Sequence, residues 1–377
     1  MASGISVSKV AQEITLHFAG GLRGRAFADQ SVQIGPLRNP QSGDMIALHI
    51  RDFSNNPLAF LNQLGLTWIG TEESPRLPSP RTRIWYPFNY GRLNLSGFQC
   101  SSDYWGGIKT SLGEAGDHKG EALARKIAFQ ARASALRLRD ISDEYHKQLQ
   151  FSFHDSKRNA RRFTNIETES LYLSLHSFLY EICALRDYLA SFAHKYVFKQ
   201  ESEIQYFSSL VKKLRENAIE HELADVMLAA ANDKLDPGWL FRLSSLRNQI
   251  AHGAPIHHGT NAGWVNIIKR EVKSLEVRSV SCHISDFQAA PIPEVAPVLA
   301  DALDTFFSFY LEMESFSALV AKSSEIEPKI QGVRPLAFDA EAHRQSGAAV
   351  SSAQEQDDQA FIDSISDFGA EAWDPAG

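Results

Sequence analysis

The chain has little cysteine. Cys100, Cys183 and Cys282 are spread over 377 residues and make no CxxC pair. That spacing argues against a disulfide framework and against a cysteine-built zinc site. A reducing cytoplasm is the expected compartment. Long apolar runs are missing as well. No segment approaches the roughly 18 apolar residues of a membrane span, and the opening "MASGISVSKVAQEITLHF" has no apolar run of signal-peptide length. A soluble, cytoplasmic protein with no membrane partner is expected. There is no P-loop, GxGxxG, GxSxG or HExxH, and no defensible pair of glycosidase-like carboxylates. No cofactor and no metal are expected. His252, His257 and His258 lack a cysteine partner or a carboxylate at ligand spacing, so a metal-dependent phosphohydrolase is the weakest enzyme reading.

The next absence is local. From Glu121 to Asp236 there is neither glycine nor proline. Such a stretch suits long helices and not strands. Within it, Leu171, Leu175, Phe178, Leu179, Ile182, Leu185, Leu189, Phe192 and Tyr196 recur at steps of three and four, a buried stripe about seven turns long. A preceding helix over about 121–150 carries Leu123, Ile127, Ala131, Leu138, Ile141 and Tyr145. A third is expected over about 201–232, with a turn at Asp236-Pro237-Gly238. The next helix buries Trp239, Leu240, Leu243, Leu246 and Ile250, and Gly253 and Pro255 stop it. "WVNIIKREVKSLEVRSVSCHI" alternates like a hairpin, and a last helix spans about 293–323.

Before these helices, Gly, Pro and aromatics are frequent. Short alternating runs, from "EITLHFAG" to "TRIWYPFNYGRLNLSGFQC", read as strands separated by turn residues. The segment Ile84, Trp85, Tyr86, Phe88 and Tyr90 suits either a β core or a base-stacking surface, and burial preference favours the core. After about residue 325 the chain turns acidic. From Glu325 onward it carries 11 acidic and 3 basic residues, more than the whole chain's net charge of −7, so the body is near neutral. This tail is expected to be disordered. Phe361, Ile362, Ile365 and Phe368 would fall on one face of a short helix there, which reads either as a docking peptide for a protein partner or, the commoner case, as incidental aromatics in an unstructured tail.

The expected architecture is α+β. A β-rich domain (1–116) leads through a basic helical connector (117–167) to an antiparallel helical bundle (168–324). The bundle has a hairpin insertion before its last helix, and the acidic tail (325–377) follows. With 44% hydrophobic residues the chain has enough apolar surface for more than one core.

Chemistry concentrates at one helix end, "FRLSSLRNQIAHG". Arg247 and His252 are five positions apart, about 500° of helix, so about 140° apart around its axis. Asn248 and His252, four apart, share a face. A histidine in the last turn meets the negative end of the helix dipole, which favours its protonated form and suits acid–base work. Arginine supplies a planar, permanent charge that fits phosphate oxygens. A cation beside a titrating imidazole is a minimal set for metal-free RNA cleavage. The same residues also suit an ordinary helix end, where Arg and His bond the last carbonyls. Spacing alone leaves both readings open.

"LRNQIAHG" resembles the signature of the HEPN superfamily (higher eukaryotes and prokaryotes nucleotide-binding domains). That signature is an Arg separated from a His by four to six residues, with a polar residue after the Arg, late in the third core helix of a four- or five-helix bundle. Arg247, Asn248 and His252 match it. The resemblance covers about Thr168 to Ser323 and leaves the β-rich region unplaced. It implies a metal-independent endoribonuclease that leaves a 2′,3′-cyclic phosphate, with RNA as partner. Such enzymes commonly act in antiphage defence or toxin–antitoxin growth arrest. It also implies two domains sharing a composite site; with one motif per chain, that means a homodimer. A polar helper from the first core helix is expected, and Glu181 and Asp187 are the candidates. The insertion before the last helix is unusual for the family. Some members have lost catalysis, so a non-catalytic dimerisation or scaffold protein is the alternative.

Basic residues upstream form a candidate RNA track: Arg132, Arg137 and Arg139, then Lys157, Arg158, Arg161 and Arg162. A solvated helical face reads equally well from sequence.

Overall fold

The computed structural model describes residues 12–26, 31–35, 46–49, 65–75, 84–88, 100–154, 162–163, 165–217, 219–233, 237–252, 265–272, 275–282 and 301–329. The fold is α+β, an N-terminal antiparallel sheet followed by a mostly helical body. Strands β1 (Gln12–Phe18), β2 (Arg23–Ala26), β3 (Ser31–Gly35), β4 (Ile46–His49), β5 (Trp68–Pro75) and β6 (Ile84–Pro87) form one sheet in the order β4-β3-β2-β1-β5-β6. Every pairing in it is antiparallel. Strand β2 was not anticipated, because its sequence RGRA holds two arginines and no apolar alternation.

Alternation does explain the aromatic segment. In β6, Trp85 points inward against His17 (ring centroids 4.7 Å apart), whereas Ile84 and Tyr86 face solvent. The Trp85 indole occupies the space a side chain at Gly70 would need. Trp85 thus belongs to the core, and Phe88 stacks on Trp68 at 4.7 Å. Tyr90 lies outside the described residues.

Seven helices are described. They are α1 (Ser101–Glu114), α2 (His118–His154), α3 (Ile166–Phe192), α4 (Phe207–Asn217), α5 (Glu222–Ala230), α6 (Trp239–His252) and α7 (Ala302–Ser323). Helix α1 falls where strands were expected. Its glycines, Gly106, Gly107 and Gly113, weaken the helical signal, but Tyr104, Trp105, Ile108 and Leu112 are buried at helical spacing. The glycines have a use. A side chain at Gly107 would sit 2.7 Å from Pro328, where residues 327–329 run along α1. The remainder of the expected acidic tail lies outside the described residues.

Helix α2 has 37 residues, about 55 Å at 1.5 Å per residue. It buries Ala124, Ile127, Ala131, Leu138, Ile141, Tyr145 and Leu149. Helix α3 buries the stripe read from sequence, Leu171 through Phe192. Its start is tied to α2. Asn165 exchanges two hydrogen bonds with Gln148 (2.9 and 3.0 Å), and its backbone N–H donates to the Thr168 hydroxyl. The single helix expected over 201–232 is two helices. His221 caps the second, its Nδ1 accepting from the Leu223 N–H at 3.0 Å. Helix α6 has the expected bounds, and its stop signals, Gly253 and Pro255, lie outside the described residues.

The hairpin forms as expected, from β8 (Val265–Val272) and β9 (Leu275–Cys282). A third strand, β7 (Arg162–Phe163), extends it. Asp301 joins three elements. It caps α7 through Leu303 N–H (2.9 Å), accepts from Cys282 N–H of β9 (3.0 Å) and from the Tyr145 hydroxyl of α2 (3.2 Å).

The sheet docks on the helices through a 3₁₀ turn, Ala19–Gly21. Gly20 and Gly21 have φ of 70° and 79°, and a side chain at Gly21 would lie 2.5 Å from the Tyr145 carbonyl oxygen. Nearby, buried Arg23 donates to the Ser142 carbonyl (2.8 Å) and to Asp143 (2.9 Å) on α2. Gly21→Ala is expected to destabilise the fold by more than about 1 kcal/mol, because the backbone conformation and the contact both resist a Cβ. Urea denaturation measures it.

A buried carboxylate also ties α7 to α1. Glu314 of α7 is buried and accepts from the Ser101 hydroxyl (2.6 Å) and backbone N–H (3.3 Å) at the start of α1. Burial raises its pKa, partly offset by those donors and by Tyr310. The folded state therefore holds this proton more tightly than the unfolded chain. The contribution is full below the unfolded value, about 4.3, and is lost as pH rises through the folded value. Glu314→Gln should shrink the loss of thermal stability between about pH 4 and pH 8, readable by scanning calorimetry.

Candidate functional site

Helix α6 packs on α3 and brings the last turns of its sequence beside the middle of that helix. The tie is polar. Arg186 of α3 donates from Nη1 to the Ser244 hydroxyl of α6 at 2.6 Å. Its Nε and Nη2 both reach Asp187 Oδ1, at 2.9 and 2.8 Å. The same oxygen accepts the backbone N–H of Phe207, the first residue of α4, at 3.0 Å. The guanidinium carbon also lies 5.9 Å from the centre of the Phe207 ring. Three helices are thus pinned around one Arg–Asp pair.

One turn on from Ser244, Arg247 lines a cleft of about 270 Å³ with Tyr180, Cys183, Ala184, Arg186, Asp187 and Tyr206. Arg247 is half-buried, and its Nη1 donates to the Asn248 side-chain oxygen at 3.0 Å. That bond links the first two residues of the motif, so Asn248 restrains the guanidinium. The cleft holds two guanidinium groups and one carboxylate, an electropositive balance that suits a phosphate oxygen. Burial pushes the Cys183 thiol up, against a smaller opposing pull from Arg186 and Arg247. It is a neutral wall of the cleft and not an activated nucleophile. His252 is the last residue of α6; its side chain, and all of His257 and His258, lie outside the described residues.

The two candidate helpers part company. Asp187 lines the Arg247 cleft. Glu181 accepts from Gln130 and lies 4.0 Å from Arg137, both on α2. The candidate RNA track is partly self-neutralised. Arg137 and Arg139 share Asp140, at 3.0 and 3.1 Å, and Arg132 sits 3.9 Å from Asp103. The exposed Arg132–Asp103 pair is worth about 0–1 kcal/mol, so a phosphate competes with it easily, whereas Arg139 and Asp140 are half-buried. Lys157, Arg158 and Arg161 lie outside the described residues. The backbone of Arg162, in β7, pairs with Asn266 of β8.

Sequence reasoning did not pick out Tyr180, Arg186 or Tyr206. A signal for part of the cleft was present. Tyr180, Cys183, Ala184 and Asp187 fall at spacings of three and four on one face of α3. Tyr206 had none, because the chain brings it back from 19 residues after Asp187.

Among the described residues no three His, Cys, Asp or Glu side chains converge as a metal site would require. No described helix is long and apolar enough to cross a membrane. Comparison of the chain with protein-family models, curated proteins and solved structures gives no match.

Proposed function

We propose that the chain is a metal-independent endoribonuclease of HEPN type, acting in the cytoplasm as a growth-arrest or antiphage effector. The observation that carries this reading is the placement of Arg247. It projects from the last turns of α6 into a cleft against α3, hydrogen-bonded to Asn248 and accompanied by Arg186. In this mechanism His252 takes the proton from a ribose 2′-hydroxyl as that oxygen attacks phosphorus. The P–O5′ bond breaks and the 5′-oxygen takes a proton from the protonated His252 of the second copy in the composite site, giving a 2′,3′-cyclic phosphate and a 5′-hydroxyl. Arg247 offsets the charge that builds on the phosphorane oxygens, and Asn248 holds its guanidinium in place. Each chain supplies one Arg/His set, so the active form is a homodimer with a composite site. The N-terminal sheet serves sensing or substrate choice.

A second reading is kept on one observation. Leu173 and Tyr180, two turns apart on α3, and Tyr206 are 60%, 61% and 58% exposed. Such a face suits a non-catalytic dimerisation or scaffold protein, with the acidic tail recruiting a protein partner. Expression in a bacterial host separates the two. The ribonuclease reading expects growth arrest by the wild type and relief by Arg247→Ala or His252→Ala. Equal growth with all three chains favours the scaffold.

A further inference from the structure

One oxygen of Asp187 takes three donors. Its Oδ1 accepts from Arg186 Nε at 2.9 Å, from Arg186 Nη2 at 2.8 Å and from the Phe207 N–H at 3.0 Å. The carboxylate of the cleft is therefore matched to Arg186. Arg247, the other cation lining the cleft, donates to the neutral Asn248 side chain and has no carboxylate partner among the described residues. The cleft carries one positive charge beyond its own carboxylate. A phosphodiester carries one negative charge and neutralises that surplus.

Arg186 is aimed before any substrate arrives. Its side chain is 14% exposed, yet it lines the cleft. Three of its five N–H donors are taken by Asp187 and the Ser244 hydroxyl, and two remain. A guanidinium fixed in this way need not be reordered when charge develops nearby, which is what makes a preset donor effective in a transition state. The Cys183 thiol feels both Arg186 and Arg247, so the two cations converge on one wall of the cleft. Ser244 also stands one turn before Arg247 on the same helix. The bond from Arg186 thus steadies the turn that presents Arg247.

We propose that Arg186 is a further catalytic residue, contacting the scissile phosphate beside Arg247, and that Asp187 is a positioning residue that acts only through it. The proposal rests on the ribonuclease reading. In it His252 moves the protons and Asp187 moves none. The competing role for Arg186 is a pin that joins α3, α4 and α6 and touches no RNA.

Salt dependence separates a phosphate contact from a pin. Each cation that contacts a phosphate of a single strand adds about 0.7 to the slope of log affinity against log salt. The full chain carrying His252→Ala leaves RNA uncut, and fluorescence anisotropy with a labelled single-stranded RNA gives its slope. Adding Arg186→Gln should lower that slope by about 0.7, while Arg186→Lys should keep it. Adding Ser244→Ala removes the tie between α3 and α6, keeps the charge, and should leave the slope unchanged. In the otherwise wild-type chain, Arg186→Gln should slow single-turnover cleavage about 10²–10³-fold. Asp187→Asn should slow it with no change in the shape of the pH–rate profile, and should add little to Arg186→Gln in the double variant. An unchanged salt slope in Arg186→Gln makes Arg186 a pin and overturns the proposal. A pH–rate profile that loses a limb in Asp187→Asn overturns the role given to Asp187. RNA cut by the wild type and equally well by Arg186→Gln removes this assignment alone. RNA left intact by the wild type removes the ribonuclease reading and the assignment with it.

Discussion

On the proposed ribonuclease reading, replacing His252 with alanine is expected to lower the rate of RNA cleavage by the full chain about 10²–10⁴-fold, the range a positioned acid–base group supplies. Arg247→Ala lowers it about 10²–10³-fold, by removing the charge aimed at the phosphorane. Arg247→Lys restores little, because an ammonium keeps the charge and loses the planar fork that Asn248 holds at 3.0 Å. Asn248→Ala costs about tenfold or less, the worth of one hydrogen bond that acts through Arg247. The double variant Arg247→Ala, His252→Ala is no worse than the poorer single variant by more than a small factor, since the two residues serve one step. Single-turnover cleavage of an end-labelled RNA measures all five. Thermal unfolding alongside should move little for Asn248→Ala, whose side chain is exposed.

Trp105→Ala destabilises the protein by about 3–5 kcal/mol, the cost of emptying a large aromatic site in a core. Trp105 is fully buried in α1 and meets Phe192 edge to face at 4.6 Å. Its indole N–H donates to the Ser317 hydroxyl of α7 at 2.8 Å. One side chain therefore joins α1 to the end of α3 and to the closing helix. Trp105→Phe keeps most of the ring and leaves the Ser317 hydroxyl without its donor, so it should cost about 1–3 kcal/mol. Urea denaturation of the two variants separates packing from hydrogen bonding. Equal losses would mean that the hydrogen bond dominates.

The long helices were legible because periodic burial is a local property. The stripe from Leu171 to Phe192 follows from spacing, the bounds of α6 follow from the turn at Asp236-Pro237-Gly238 and from Gly253 and Pro255, and both appear in the fold. The hairpin was legible from alternation. Helix α1 was not, because its glycines answer a tertiary demand, the passage of residues 327–329 over Gly107. Strand β2 was hidden for a related reason. Its Arg23 looks like a surface residue and is buried by partners on α2, 119 and 120 positions away. The split between α4 and α5 turns on a histidine cap, a weaker signal than Gly or Pro.

The candidate site divides in the same way. Arg247, Asn248 and His252 stand out because they lie close together in sequence on one helix end. Arg186, Tyr180 and Tyr206 join Arg247 only through packing of α3 and α6 and the return of the chain before α4, which no spacing within one segment encodes.

The most direct test of the central claim is product analysis of RNA incubated with the purified full chain in excess EDTA. The account predicts cleavage that leaves 2′,3′-cyclic phosphate and 5′-hydroxyl ends, present in the wild type and lost in His252→Ala. Intact RNA, ends that carry a 5′-phosphate, or equal cleavage by His252→Ala would contradict it.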